Sequence, residues 1–321
     1  MKQKEILLFG ASGQIGRNLI RKLTKNNYKI TAVTRNIHRT GYILKTQANP
    51  GYLKLVELKN FNGHKIDELM KSVSICINLI GILYEKNKGQ FKLIHTDLPD
   101  MLSQKAKKYS LEKFIHLSAL GIEESKDSKY AHSKLNGEKK IIKNFKNHII
   151  LKPSIVYSVD DNFTTNFMSL LNVLPIMPIY YNGRTKFAPI HVTDLVDIIY
   201  NLIESQNKSI IMECVGPEVL TFKEIMQKLL NAIDKNRILL PLPLPIAKLS
   251  AKILQLFPKP LLTEDQLNLL KYDNCNSGIY KTNYDLGFQT TRKFDLEVEK
   301  YSYNWRSGGQ YAKDNNLKKT K

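Results

Sequence analysis

A chain of 321 residues, 42% of them hydrophobic and 24% charged, is too long for one small core and too apolar for wholesale disorder. Forty-nine Lys and Arg against 29 Asp and Glu give a formal charge of +20. This fits an anionic partner (nucleic acid, an acidic membrane face, an acidic protein surface or a phosphorylated ligand), and equally a surface of lysines that are simply solvated. Three widely separated cysteines, Cys76, Cys214 and Cys275, exclude a disulfide framework and any zinc-ligand or CxxC spacing, and they fit a reducing compartment.

The apolar run Ile6–Phe9 is too short for the hydrophobic core of a signal peptide and ends in a glycine-rich turn, so it reads as a first strand. No stretch approaches the roughly 18 apolar residues of a spanning helix, which makes the expected protein soluble or peripheral. A helix follows over Gln14–Lys25, with Ile15, Leu19, Ile20 and Leu23 at helical spacing. Lys29–Thr34, Tyr52–Leu58 and Val73–Ile80 read as strands, the last an unbroken apolar run typical of a buried parallel strand. Phe91–Tyr109 and Tyr130–Lys143 read as helices, and Lys113–Leu117 and His148–Leu151 as strands. Strands separated by helix-length segments imply βαβ units, so the expected fold is α/β: a Rossmann-type doubly wound parallel sheet with a smaller mixed C-terminal domain.

Beyond Pro153 helical segments (Asn162–Leu171, Thr193–Glu204, Thr221–Ile233) alternate with proline-bearing loops, and Ser209–Val215 reads as a strand returning to the main sheet. Leu239–Pro245 is apolar and punctuated by prolines. Ile246–Phe257 predicts a short amphipathic helix, with Ile246, Leu249, Ile253, Leu256 and Phe257 on one face and Lys248, Lys252 and Gln255 opposite. That pattern fits a helix resting on an anionic bilayer or on membrane-arm subunits, and equally an ordinary surface helix. The expected organisation is a dinucleotide-binding domain over 1–157, a smaller interleaved region over 158–305, and a basic tail over 306–321 whose last ten residues are expected to be disordered.

The chemistry-bearing motifs lie in the first half. Gly10-Ala-Ser-Gly13-Gln-Ile-Gly16 sits directly after a strand and before an amphipathic helix. Gly10 permits the tight turn, Gly13 lets backbone approach a pyrophosphate, and Gly16 allows helix to pack on strand, while the helix start offers free N–H groups. Where a site for NAD(H) places an acid at the end of the second strand, this chain has Thr34-Arg35-Asn36. No Asp or Glu lies between Glu5 and Glu57, whereas nine Lys or Arg do. An acid-free basic rim with Arg35 suits a 2′-phosphate, so NADP(H) is expected in preference to NAD(H). Tyr130 and Lys134, at i and i+4, share a helix face, where a lysine ammonium favours phenolate and can also bind a ribose. Ser118 ends the fifth strand, where it can orient a substrate carbonyl. His95, His116 and His132 have no metal-ligand spacing, and no metal is expected; Asp194, shortly after His191, reads as a complement to a helix dipole.

With Ser118, Tyr130 and Lys134 in these positions, the chain resembles the atypical extended branch of the short-chain dehydrogenase/reductase superfamily. Within it, the strings His116–Gly121, Ser128–Glu138, Leu151–Tyr157, Gly183–Asp194, Leu240–Pro245 and Asp285–Phe288 look like those of the nucleotide-binding accessory subunits of respiratory complex I and their bacterial relatives. That resemblance implies a tightly held, structural NADPH, complex I subunits near the quinone site as partners, and a cytoplasmic protein placed peripherally on the cytoplasmic face of the inner membrane. It also implies that Gly10, Ser12, Gly13, Gln14, Ile15, Gly16 and Arg35 hold the adenosine and phosphate end. Tyr130 and Lys134 would meet the nicotinamide ribose, and Pro153 and Ser154 would line the ring. Tyr130 follows only 12 positions after Ser118, and the Ser118-Ala119 pair departs from the paired hydroxyls usual in active members. Tyr130, Lys134 and Ser118 can on this count be vestigial as catalysts.

Three functions therefore stand at this stage: a cofactor-stabilised accessory or assembly protein of an NADH:quinone oxidoreductase, an active NADP-dependent reductase, dehydrogenase or sugar-nucleotide epimerase, and a nucleotide-sensing regulator. No aromatic-basic motif of a nucleic-acid reader stands out, so nucleic acid is not an expected partner.

Overall fold

The computed structural model describes residues 4–206, 209–255, 260 and 262–311. The first half repeats strand and helix: β1 (Glu5–Phe9), α1 (Gln14–Lys25), β2 (Lys29–Thr34), α2 (Ile37–Lys45), β3 (Leu53–Glu57), α3 (Gly63–Met70), β4 (Ile75–Asn78), α4 (Leu98–Lys108), β5 (Lys113–Leu117), α5 (Lys129–Asn144) and β6 (His148–Pro153). A π-helical turn over Lys92–Asp97 leads into α4. The second half is more broken: β7 (Val156–Tyr157), α6 (Thr164–Val173), β8 (Ile176–Ile179), β9 (Lys186–Phe187), β10 (Ile190–His191), α7 (Val192–Glu204), β11 (Ile210–Cys214), β12 (Leu220–Thr221), α8 (Phe222–Ala232), β13 (Ile238–Pro241), α9 (Leu244–Leu254), α10 (Glu264–Leu269), β14 (Lys281–Thr282) and α11 (Phe294–Ser302).

Eight strands form one sheet in the order β3-β2-β1-β4-β5-β6-β11-β14, and each neighbouring pair is parallel. The expected doubly wound α/β fold is the observed one, and the strand predicted over Ser209–Val215 does return to the main sheet beside β6. Strand alternation builds its two cores. Ile6 and Leu8 of β1 pack with Leu19, Ile20 and Leu23 of α1 and with α7 on one face. Leu7 and Phe9 pack with Leu98 and Leu102 of α4 and Ile141 of α5 on the other. Cys76 and Cys214 are buried in this sheet. A third core, around Tyr157, Met168, Phe222, Ile225 and Phe294, belongs to the smaller elements of the second half. Chain order reverses between β1 and β4, which opens a crevice at the carboxyl ends of those strands.

The predicted helix over Ile246–Phe257 forms earlier, as Leu244–Leu254, while Leu256 and Phe257 lie outside the described residues, as do the last ten residues of the tail. The helix packs through Ala247 and Ala251, which are buried. Ile246, Leu249 and Ile253 are left 53%, 61% and 54% exposed, so its apolar stripe faces outward rather than into the core. No helix among the described residues is long and apolar enough to cross a membrane.

One lysine is part of the architecture. Lys113, at the start of β5, is buried, and its ammonium donates to the carbonyls of Leu202 (2.7 Å), Ile203 (2.8 Å) and Ser205 at the end of α7. A cation there satisfies orphan carbonyls and complements the helix dipole. Lys113→Met removes that donor, and chemical denaturation should report a loss of about 1.5–3 kcal/mol, the usual worth of hydrogen bonds to a charged group. An unchanged midpoint would show that the cap contributes nothing.

Candidate functional site

The glycine turn is built by close backbone contacts. Gly10 has φ +80°, and a side chain there would come within 2.9 Å of the Leu79 carbonyl carbon at the exit of β4. The Gly13 N–H donates to the Gly10 carbonyl at 3.1 Å and closes the turn. At Gly16 a Cβ would stand 2.4 Å from the Gly10 oxygen, so only glycine lets the first turn of α1 lie against the loop. No side chain caps α1 at Gly13, and its first turn carries no acid. The amides that open this helix are thus a ready cradle for an anion. Ser12 and Gln14 are partly buried beside it: the Ser12 carbonyl accepts from Arg17 at 2.6 Å, and Gln14 Nε2 donates to Ser158 Oγ at 2.9 Å. Ile15 packs against the core under α1.

The neighbouring rim is basic, with one addition. Arg35 is exposed, and among the described residues no carboxylate lies within ion-pair distance of it. Asn36 caps α2 by accepting from the Arg39 N–H at 2.9 Å, which places His38 and Arg39 in the first helical turn. The sequence reading of an acid-free rim needs correction, because β3 pairs with β2 and sets Glu57 opposite Thr34. Its Oε2 accepts from the Ile37 N–H at 2.9 Å. That bond, followed by the charge of Lys59, holds its carboxyl below the ordinary range. This carboxylate is committed to the start of α2.

On α5, Tyr130, Lys134 and Glu138 are spaced at i, i+4 and i+8 and are all buried. Asp265 of α10 fastens the start of this helix, accepting from Ser128 Oγ (2.9 Å) and from the N–H groups of Lys129 (2.7 Å) and Tyr130 (3.1 Å). Lys134 Nζ donates to the Leu117 carbonyl at 3.1 Å and stands 5.7 Å from the centre of the Tyr130 ring. Burial pulls the Lys134 ammonium down to about 8. The expectation that this lysine drives Tyr130 towards phenolate is not met in the free protein: burial, reinforced by Asp265, pushes the phenol up instead.

Ser118 is where the spacing put it, at the end of β5, but its hydroxyl donates to Glu138. Glu138 in turn accepts from Lys152 Nζ at 2.5 Å, and Lys152, wholly buried on β6, is also 2.7 Å from Glu123 and lies under the Tyr280 ring. Desolvation raises Glu138, with Lys152 opposing. Pro153 ends β6, its carbonyl accepting from the Leu120 N–H at 3.0 Å. Ser154 Oγ lies 2.7 Å from Asn274 Oδ1 and accepts from the Ala188 N–H at 3.1 Å.

Sequence reasoning missed His95. The π-helical turn sets its imidazole between the Phe91 ring, stacked at 5.4 Å, and the Tyr130 ring, edge-on at 5.2 Å. Its Nε2 accepts from the Ile82 N–H at 3.1 Å and its Nδ1 lies 2.9 Å from Ser133 Oγ, while burial pulls it down to about 3, so the ring is neutral. An inserted π-turn has no signature in a 3.6-residue period. Of the remaining histidines, His116 is buried against Asn78, and His132 is exposed and bonded to the Lys126 carbonyl. His191 caps α7, and Asp194 in the first turn pairs with Arg292. The exit of β4 joins the two halves of the site: Leu79 touches Gly10, and Gly81 lies beside Lys134 and His95.

The depressed Lys134 ammonium has a thermodynamic signature in the free protein. Between pH 8 and 10.5 the unfolded chain holds a proton that the folded chain has shed. Stability therefore gains from this residue as pH rises through that window. Denaturation midpoints of the wild type relative to Lys134→Met should climb from pH 8 to 10.5; parallel pH profiles of the two proteins would contradict the depressed ammonium.

Residues 6–213 match the model of the NAD dependent epimerase/dehydratase family. The 40 kDa subunit of the mitochondrial NADH-ubiquinone oxidoreductase of Neurospora crassa is 25% identical over 95% of this chain and 80% of its own length. Alpha subcomplex subunit 9 of the mitochondrial NADH dehydrogenase (ubiquinone) of Mus musculus is 24% identical over 94% of this chain and 81% of its own. Among solved structures, the UDP-glucuronic acid 4-epimerase of Bacillus cereus, in complex with UDP-glucuronic acid and NAD, superposes with a TM-score of 0.71 at 17% identity, covering 94% of this chain and 99% of that one. Residues 6–213 span the reversal of strand order, the uncapped glycine turn and the Tyr130–Lys134 pair, and the chain belongs to the NAD dependent epimerase/dehydratase family.

Proposed function

We propose that this protein holds NADP(H) as a mainly structural cofactor and acts as an accessory or assembly protein of an NADH:quinone oxidoreductase, partnered by complex I subunits near the quinone site. The observation that carries the structural role is the commitment of the Ser118 hydroxyl to Glu138, inside a buried layer locked by Lys152. A hydroxyl whose one proton is spent on a carboxylate has none to give a substrate carbonyl. The relatives from Neurospora crassa and Mus musculus, aligned over almost the whole chain, support the partner class.

In this reading the backbone of Gly10, Ser12, Gly13, Gln14, Ile15 and Gly16 holds the pyrophosphate, and Arg35, with His38 and Arg39 at the start of α2, takes the additional phosphate. Tyr130 and Lys134 meet the nicotinamide ribose, and Pro153 and Ser154 lie towards the ring. The bound dinucleotide supplies hydride chemistry where a substrate can reach it; here the chain's own groups bind and orient. The outward stripe of α9, Ile246, Leu249 and Ile253 beside exposed Lys248 and Lys252, suits an anionic bilayer on the cytoplasmic face of the inner membrane.

A second reading, an active NADP-dependent reductase or epimerase, is favoured by one observation: Tyr130 and Lys134 do share a face beside the exit of β4. The two separate in one experiment. In the accessory role Tyr130→Phe leaves co-purification with complex I subunits intact, and bound NADPH stays reduced when carbonyl compounds or quinones are added. NADPH oxidation that the wild type supports and Tyr130→Phe abolishes would establish the enzyme instead. Arg35→Asp should weaken NADP(H) by about 10- to 100-fold, the worth of one charge-assisted bond lost and a repulsion gained, and leave NAD(H) nearly unchanged. An unaltered preference would remove Arg35 from the site.

A further inference from the structure

Arg17 is the one cation in the first turn and a half of α1, directly after Gly16. Its Nη1 donates to the Ser12 carbonyl at 2.6 Å, which folds the guanidinium back against the glycine turn, and its Nη2 pairs with Asp160 from the loop after β7. A second tie runs alongside: Gln14 Nε2 donates to Ser158 Oγ at 2.9 Å, and Ser158 Oγ donates to Asp160 Oδ1 at 2.7 Å. The loop thus lays a carboxylate against the helix start whose free amides invite an anion.

We propose that Asp160 is an internal anion that competes with the phosphates of the dinucleotide for Arg17, and that residues 156–161 form a latch reporting occupancy of the glycine turn to the smaller region. This inference rests on the nucleotide reading above. Both carboxylate and pyrophosphate demand the same guanidinium, so a bound dinucleotide draws Arg17 off Asp160. The pair can exchange because its side chains are 22% and 40% exposed, and exposed pairs are weak. Displacement has somewhere to go. The next residue, Asp161, is buried and accepts from the N–H groups of Ser158 (3.0 Å), Phe163 (2.9 Å) and Thr165 (3.1 Å) and from Thr164 Oγ (2.7 Å) at the start of α6. Thr164 Oγ is in turn 2.9 Å from the Tyr301 hydroxyl of α11. A shift at Asp160 therefore pulls on a tightly bonded helix start of the second half.

The test is NADPH titration of the full chain, followed by nucleotide fluorescence, together with hydrogen exchange over residues 158–165. Asp160→Asn should bind NADPH about 3- to 10-fold more tightly, the scale of one partly exposed ion pair removed from the unbound state. In an Arg17→Gln background the same change should move affinity less than about twofold, because the competition has lost its object. In the wild type, NADPH should speed exchange over 158–165; in Asp160→Asn that exchange should already be fast without ligand. A wild type that binds NADPH, with Asp160→Asn binding equally or more weakly, overturns the latch and leaves the nucleotide site standing. A wild type that binds no dinucleotide removes the nucleotide reading, and the latch with it.

Discussion

Everything in this site depends on a helix start that the protein leaves unsatisfied. The amides opening α1 meet no capping side chain, the first turn of α1 carries no acid of its own, and the glycine turn before it has no side chain that could fill the space. Leaving such groups unpaired is costly unless an anion or water takes them. The sheet fixes where that demand is felt. Reversal of strand order between β1 and β4 opens the crevice directly at the turn, and the exit of β4 carries the contact from Gly10 across to Lys134 and His95. The proposed preference for an additional phosphate rests on the basic rim around Arg35, where Glu57 has Oε2 accepting from the Ile37 N–H at the start of α2 and Oε1 3.6 Å from Lys59.

A second constraint separates holding a cofactor from using it. Beneath α5, buried Ser118, Glu138 and Lys152 form a charged layer that the partly exposed Glu123 closes at its edge. Buried ion pairs of this kind tolerate no missing partner, so the layer is rigid by necessity. It fixes Glu138, and through the same helix it fixes Tyr130 and Lys134, whose own environment favours the neutral phenol and weakens the ammonium. Asp265 and Asn274, from distant parts of the chain, stitch the same helix and the end of β6 from outside. A site pinned on every side suits a cofactor that stays.

Much of this was legible in the order of residues. The bounds of α1, β2 and β5 follow directly from apolar spacing and from the glycine turn, since each has a strong period and clear punctuation. The glycine turn, Arg35 and the Tyr130–Lys134 spacing could be read because each is local. What escaped was long-range. Lys113 looks like an ordinary lysine at a strand start, and only folding brings it 89 residues along the chain to the end of α7. Lys152 hides inside an apolar strand, with partners on α5 and in the loop after β5. The short helices α2 and α3 were not anticipated: at nine and eight residues they bury only Gly41 and Leu44, and Ile66 and Met70. The outward stripe of α9 illustrates the limit of pattern reading: amphipathicity names two faces, and only the buried alanines Ala247 and Ala251 show which one packs inward.

The most direct test of the whole account is native mass spectrometry of the protein purified without added nucleotide, followed by identification of whatever is released on denaturation. The account predicts one dinucleotide per chain carrying the extra 2′-phosphate. A preparation that retains no dinucleotide and acquires none when NADPH or NADP+ is supplied would contradict it.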